Sequence, residues 1–467
     1  MTVTGDRPTS EVAAVEPTAL RVPLRRLLRQ GRRQGPLGLM TELGREADGR
    51  LIRLGLGSFK PFLVTHPEHL ERILRSNAGN YPRGAAMWQA LGRLTGDGIG
   101  GEGPRWALSR ASLHPGFAAA HIRHMGEQMV ESVTGAVDDL AAGMAPGQPV
   151  DAGEQMTAIV QRVIDPVFFG RLIPEGEGGR LGEAVATAMS SLLWRMAMPQ
   201  VPHAVPLPGD RAFKRATRTI RQILGPVLAQ ARQNLSEGDD GGMDVVSMLM
   251  HSTDSDGRPL TDQQITDDIC ALFVAGSESS AIALTWVWVA LAQNPQVHAL
   301  VRAEVDRVVG DGPLRPHHGR ELAYTGTVLR EVLRIYSVGW AVPRIAVADD
   351  EVGGVLIPAG STLVLSPYLT HRLPQYWPDP LRFDPSRFTR EQVRARAEVP
   401  AGSLAYLPFG DGAHACLGEG FFYQEAALVI AEIVRRFEVQ ITGEVDPKLS
   451  LTVQPRGTVQ MLLTPRR

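Results

Sequence analysis

Apolar residues recur at helical spacing through most of this chain, and strict alternation is confined to short stretches. The longest periodic pattern runs from Thr261 to Gln293, 33 residues, hence roughly 50 Å of helix, enough to cross a large domain. Thr261 and Asp262 give it a polar start, and Asn294-Pro295 marks its end. Helical spacing also dominates from Arg105 to Leu249, interrupted between Pro199 and Pro208, where four prolines forbid a continuous helix. Further helices are predicted over His66–Arg75, Pro295–Val309, Thr325–Tyr336 and from Cys416 to about Phe437. Leu51–Gly55 and Pro61–Thr65 read as two strands of a hairpin, and Ile345–Pro367 as short strands turning at Gly353-Gly354 and Pro358-Ala359-Gly360. Residues 77–103 are glycine-rich and irregular, a length that suggests a binding loop. The expected fold is mainly α with a minor β lobe.

The absence of a Ser/Gly linker, a charge block or an internal repeat argues for one large domain, 51–467, after an N-terminal segment and first helix over 1–50. Charges of both signs are mixed and sum to -2, so no basic field points to nucleic acid. The two cysteines, Cys270 and Cys416, allow neither a disulfide framework nor a Cys-rich zinc or iron-sulfur site, and point to a reducing, cytoplasmic setting. Met1 to Glu16 carries Asp6, Glu11 and Glu16 without a signal-peptide core. No apolar run approaches the roughly 20 residues of a membrane span, so no membrane anchor is expected. The arginine-rich stretch Arg21 to Arg33 reads as a solvated lead-in segment in preference to a lipid contact.

Candidate chemistry centres on Cys416, in the loop Pro408-Phe409-Gly410-Asp411-Gly412-Ala413-His414-Ala415-Cys416-Leu417-Gly418. A lone cysteine leading into a helix has orphan backbone N–H groups aimed at it, a setting that lowers thiol pKa and suits a thiolate metal ligand. Gly410, Gly412 and Gly418 allow the close approach of a flat cofactor. The loop resembles the haem-binding signature of the cytochrome P-450 family: Phe-Gly-x-Gly-x-basic-x-Cys-x-Gly. The resemblance implies that family's fold, with haem b between the long central helix and the cysteine loop and helix, and Cys416 as the axial thiolate on iron. It marks Phe409, Gly410 and Gly418 as the loop that cradles the ring. Trp106, Arg110, Arg344 and His414 match its contacts to the haem propionates. Glu331 and Arg334 match its Glu-x-x-Arg element, and Arg387 the residue completing an ion network behind the cysteine loop. Phe422 stands where family members often have alanine.

In the middle of the long helix, Gly276-Ser277-Glu278-Ser279 interrupts apolar turns, and glycine with hydroxyls there weakens the helix locally. By resemblance, Gly276 and the acid–alcohol pair Glu278 and Ser279 face the cofactor and relay protons to dioxygen, with serine in place of the commoner threonine. The resemblance thus implies a haem-thiolate monooxygenase that takes electrons from a separate ferredoxin and ferredoxin reductase. Met87, Trp88, Leu91, Phe273, Val274, Val338, Trp340 and Val342 are the candidate pocket residues; their apolar character predicts a small hydrophobic substrate. The stretch Trp194 to Arg211 is similar to the roof of bacterial members that act on terpenoids and other secondary metabolites. Oxidative coupling or cyclisation, a peroxide-driven peroxygenase and a haem-based sensor are the alternative functions.

Overall fold

The long helix spans Asp262–Gln293, and Thr261 caps it in a reciprocal capping box with Gln264. The computed structural model describes residues 19–466 apart from 58, 146, 171, 175, 199, 200, 203, 239–241, 243 and 255. The stretch Met1 to Glu16 and part of the roof therefore lie outside the described residues. The long helix is apolar on nearly every side because it is buried on nearly every side: Ile269, Leu284, Trp286 and Trp288 are all within the core. Helices Ala152–Phe169, Glu177–Ser191, Ala323–Tyr336 and Glu419–Arg436 pack around it. Trp288 donates its indole N–H to the Met156 sulfur, a buried pin between two of these helices.

The β lobe is a five-stranded sheet in the order Leu20–Pro23, Ile52–Gly55, Phe62–Val64, Thr362–Leu365, Val342–Ile345. The expected hairpin forms, with Ile52 opposite Leu63 and Arg53 opposite Phe62. Leu20–Pro23 runs parallel to Ile52–Gly55, so a boundary at residue 50 falls inside one sheet. The helix Leu24–Ala47, kinked at Gly35, then packs Leu39, Leu43 and Ala47 inward. Beneath the sheet Leu51, Phe62, Val64 and Leu363 form a second core with Leu407, which fixes the root of the cysteine loop.

Three sequence expectations are corrected. Residues 77–103 hold a helix, Ala86–Thr95, hidden from periodicity because it is short and flanked by Gly84 and Gly96. The segment His66–Arg75 divides into a helix over Pro67–Glu71 and a wider π turn over Arg72–Ser76. The last long helix begins at Glu419, not at Cys416.

Candidate functional site

Backbone conformation shapes the cysteine loop. Gly410 and Gly412 have positive φ (69° and 70°), and a Cβ on Gly412 would come 2.3 Å from the Leu74 carbonyl oxygen, so a larger residue at 412 would be strained and would clash. Gly418 needs no such freedom at φ -80°. The Cys416 amide donates to the Phe409 carbonyl at 2.8 Å, folding the loop back so that the thiol lies at its tip. Cys416 is accessible, yet burial governs its titration, the combination expected of a thiol facing an enclosed space. Burial pushes that thiol up, outweighing the Gly418 N–H bond and the nearby Arg110 and Arg83. The acidic thiol expected from sequence is thus not preformed; an iron ion would remove the proton, as coordination does outright. Beneath the loop, Phe409 packs in tilted and edge-on contact with Phe422 and Tyr423. Phe422 is therefore a structural wedge, and Phe422→Ala is expected to destabilise the protein by about 3–5 kcal/mol, read from denaturant melts.

Cations crowd the space beside Cys416. Arg344 is buried, and among the described residues its guanidinium donates one hydrogen bond, to the Pro343 carbonyl at 3.1 Å. Burial brings both Arg344 and Arg83 down to about 10. Arg110 donates to the Ala415 carbonyl at 2.8 Å. His414 meets Glu102 through Nε2 at 3.1 Å and lies 4.1 Å, centroid to centroid, from Trp106. Burial first, and then the repulsion of Arg83, holds His414 at about 4. Among the described residues, Trp106 Nε1, His414 Nδ1 and Arg83 Nε are buried without a partner. Three arginines, one carboxylate and three orphaned nitrogens form a site short of negative charge. Two carboxylates arriving there would fill it, and a propionate at Nδ1 would return the proton to His414. Sequence reasoning identified Arg110, Arg344, His414 and Trp106 but missed Arg83 and Glu102, which lie in segments without periodicity.

On the long helix, Glu278 is exposed by area yet its carboxyl is raised by burial, so it also faces an interior space. The helix is unbroken through Gly276. The local weakening expected there does not open the helix, and the Ser279 hydroxyl donates back to the Ala275 carbonyl, four residues earlier in the same helix. The next residue, Ser280, faces Glu425 on the helix that follows the cysteine loop, and both Glu425 carboxyl oxygens are buried without a hydrogen-bond partner among the described residues.

Glu425 is fully buried and desolvation raises it to about 8 from the ordinary 4.5. The folded state keeps this proton to higher pH than the unfolded chain. Stability from this group is therefore full below pH 4.5 and declines as pH rises toward 8. Glu425→Gln, neutral at every pH, is expected to flatten that slope and to raise the melting temperature at pH 8 but not at pH 5, as read by thermal melts.

Behind the loop, Glu331 and Arg334 form a fully buried pair at 2.7 Å. Arg387 Nε lies 3.5 Å from the same carboxylate, and the Asp384 amide donates to it at 2.7 Å. Arg334 also donates to the carbonyls of His371, Pro380 and Arg382. Leu407 in turn donates its amide to His371 Nε2 at 3.0 Å, so the network reaches the cysteine loop through His371.

The pocket candidates separate. Phe273 faces away, locked in the core against Phe168 and Phe169, and Val338 is buried in the same core. Residue 273 takes this place because it sits on the helix face turned away from the one carrying Ala275 and Glu278. Trp88 lies under Arg83 and donates to the Pro343 carbonyl at 2.9 Å. Trp340 donates to the Ser450 carbonyl at 2.9 Å. Met87, Leu91, Val274 and Val342 are half-buried.

The cytochrome P-450 family profile matches residues 17–466. Cyclooctatin synthase of Streptomyces melanosporofaciens is 31% identical over 440 residues, covering 92% of each chain. Cyclooctat-9-en-7-ol 5-monooxygenase of the same organism is 29% identical, covering 92% of this chain and 91% of its own. Pentalenene oxygenase of Streptomyces avermitilis is 26% identical, covering 92% of this chain and 93% of its own. A crystallised cytochrome P-450 haem domain shares the fold at a TM-score of 0.81 and 24% identity, over 93% of this chain and 94% of its own.

Proposed function

The chain belongs to the cytochrome P-450 family and is a monooxygenase, and from that premise we propose that it oxygenates a small, mainly hydrophobic substrate in bacterial secondary metabolism. The carrying observation is the accessible Cys416 thiol beside a cationic cluster that lacks its anions. Membership of the family implies haem b with cysteine thiolate ligation, and the residues present fit it. Bound haem supplies dioxygen activation and oxygen-atom transfer to carbon.

Cys416 Sγ would hold the iron as thiolate. Arg344, Arg110 and Arg83, with Trp106 Nε1 and His414 Nδ1, would hold the two propionates and so orient the ring. The raised Glu278 carboxyl retains its proton to higher pH than an ordinary glutamate, which suits a donor. Ser279 Oγ, already turned along the helix by the Ala275 carbonyl, would take that proton and pass it inward toward dioxygen. Met87, Leu91, Val274 and Val342 would exclude water and bind apolar carbon. Electrons would come from a separate ferredoxin and its reductase, in the cytoplasm.

Ser279→Ala is expected to leave haem content unchanged while product formed per reductant consumed falls roughly tenfold or more, the balance appearing as hydrogen peroxide. Unchanged coupling would remove the relay. The substrate reading rests on apolar lining and on relatives whose printed names carry an alkene, pentalenene, and an unsaturated alcohol, cyclooctat-9-en-7-ol. A panel of compact hydrocarbons and their alcohols should shift the haem spectrum from low to high spin. A shift with carboxylate-rich compounds alone would overturn it.

A further inference from the structure

The first helix and the neighbouring hairpin place an apolar tip inside a basic collar. Leu24 and Leu28 are 42% and 55% exposed, Leu56 and Phe59 41% and 51%. These four are adjacent: Leu20–Pro23 pairs with Ile52–Gly55, a Cβ on Gly55 would lie 3.6 Å from the Leu24 amide nitrogen, and Leu56 bonds Phe59 across the turn. Their buried neighbours Val22, Leu51 and Ile52 hold the strands to the core, so exposure here is confined to the outer surface of a rigid sheet edge. Leu24 and Leu28 stand one turn apart on the helix, and Arg25, Arg29 and Arg32 occupy the flank beside them. Arg21, Arg33 and Lys60 are exposed as well. Residues 20–40 contain six arginines and no acid, in a chain whose net charge is -2. The two acids of the first helix next along the chain from this stretch, Glu42 and Glu46, are taken by Gln30 and Arg26.

We propose that this face docks peripherally on an anionic lipid bilayer, with Leu24, Leu28, Leu56 and Phe59 entering the headgroup boundary and the arginines meeting lipid phosphates. Exposed leucines flanked by arginines on one short helix are the pattern of an interfacial segment. The lone arginine stretch would suit any polyanion, but the apolar tip beside it gains nothing from a nucleic acid. A second copy is disfavoured because symmetric pairing would set the same arginines against each other. The proposal departs from the sequence reading of this stretch as a solvated lead-in, and the ground for departing from it is the hairpin brought alongside.

Flotation of the haem-loaded full chain with vesicles tests the inference without reference to substrate. Vesicles of phosphatidylcholine mixed with phosphatidylglycerol should carry the protein, pure phosphatidylcholine should not, and added salt should release it. Arg25→Glu with Arg29→Glu should weaken binding by roughly 25-fold or more. Leu28→Ser with Phe59→Ser should also weaken it severalfold, with the haem spectrum and turnover in solution unchanged for both. No binding by the full chain would overturn the proposal, as would full binding by the Leu28 and Phe59 variant, which would mean charge attraction alone. Binding that appears only after removal of residues 2–17 would overturn it too, assigning the face to the chain's own acidic N-terminus. A concentration-dependent dimer broken by the same variants would assign it to a second copy.

Discussion

Exchange of Cys416 for serine is expected to leave a folded protein without thiolate-type haem absorption and without monooxygenase turnover. The loop geometry does not depend on sulfur: the Cys416 amide bond to Phe409 and the positive φ of Gly410 and Gly412 are backbone properties. The chemistry does depend on it. Burial already raises the thiol, and a hydroxyl in the same place, with a far higher starting pKa, would not ionise as readily against iron. It would also donate less electron density than a thiolate. The reduced carbonyl complex reads this directly, since a thiolate displaces its Soret band and an oxygen or absent ligand does not. Turnover should fall by about 1000-fold or more, and a retained thiolate-type band in the serine variant would defeat the assignment of Cys416 as the ligand.

Removal of Glu331 is expected to have the largest effect on folding. Its carboxylate is fully buried and answers two arginines and the Asp384 amide. Burial raises its pKa even against the pull of Arg334, a sign of how heavily desolvation weighs here. Glu331→Gln strands the buried Arg334 without its counter-charge and takes one carboxylate from the part-buried Arg387, and should cost about 3–5 kcal/mol. Because Arg334 reaches Leu407 through His371, the same variant should lower the haem-to-protein ratio. Glu331→Gln combined with Arg334→Met removes both signs of charge and should recover part of the stability. Denaturant melts and haem content read the two effects separately. A single variant as stable as wild type would show that the network is not holding the loop.

Much of the site was legible because its chemistry is local in sequence. Phe409 to Gly418 and Glu331 with Arg334 are each contiguous or one helical turn apart. The pocket residues were less legible, since apolar character does not say which face of a helix a residue takes. Phe273 and Val274 are neighbours, yet one joins an aromatic core and the other remains half-buried. Arg83 and Glu102 carried no local signal at all. Their significance arises from the company of Arg344 and His414, which are hundreds of residues away along the chain.

The chain's own order of residues was enough to single out the cysteine loop, the Glu278–Ser279 pair and the long helix, because each rests on backbone geometry or side-chain type within a few turns. Tertiary structure alone decided which charged groups share the site and which apolar groups stand beside the first helix. Desolvation raises Cys416 and Glu425 and lowers His414 through neighbours that only folding assembles. The arginine-rich stretch gains its apolar partner only when Leu20–Pro23 pairs with Ile52–Gly55 and brings Leu56 and Phe59 beside it. Burial and cross-chain pairing are sums over distant residues, and a pattern read along one dimension does not contain them.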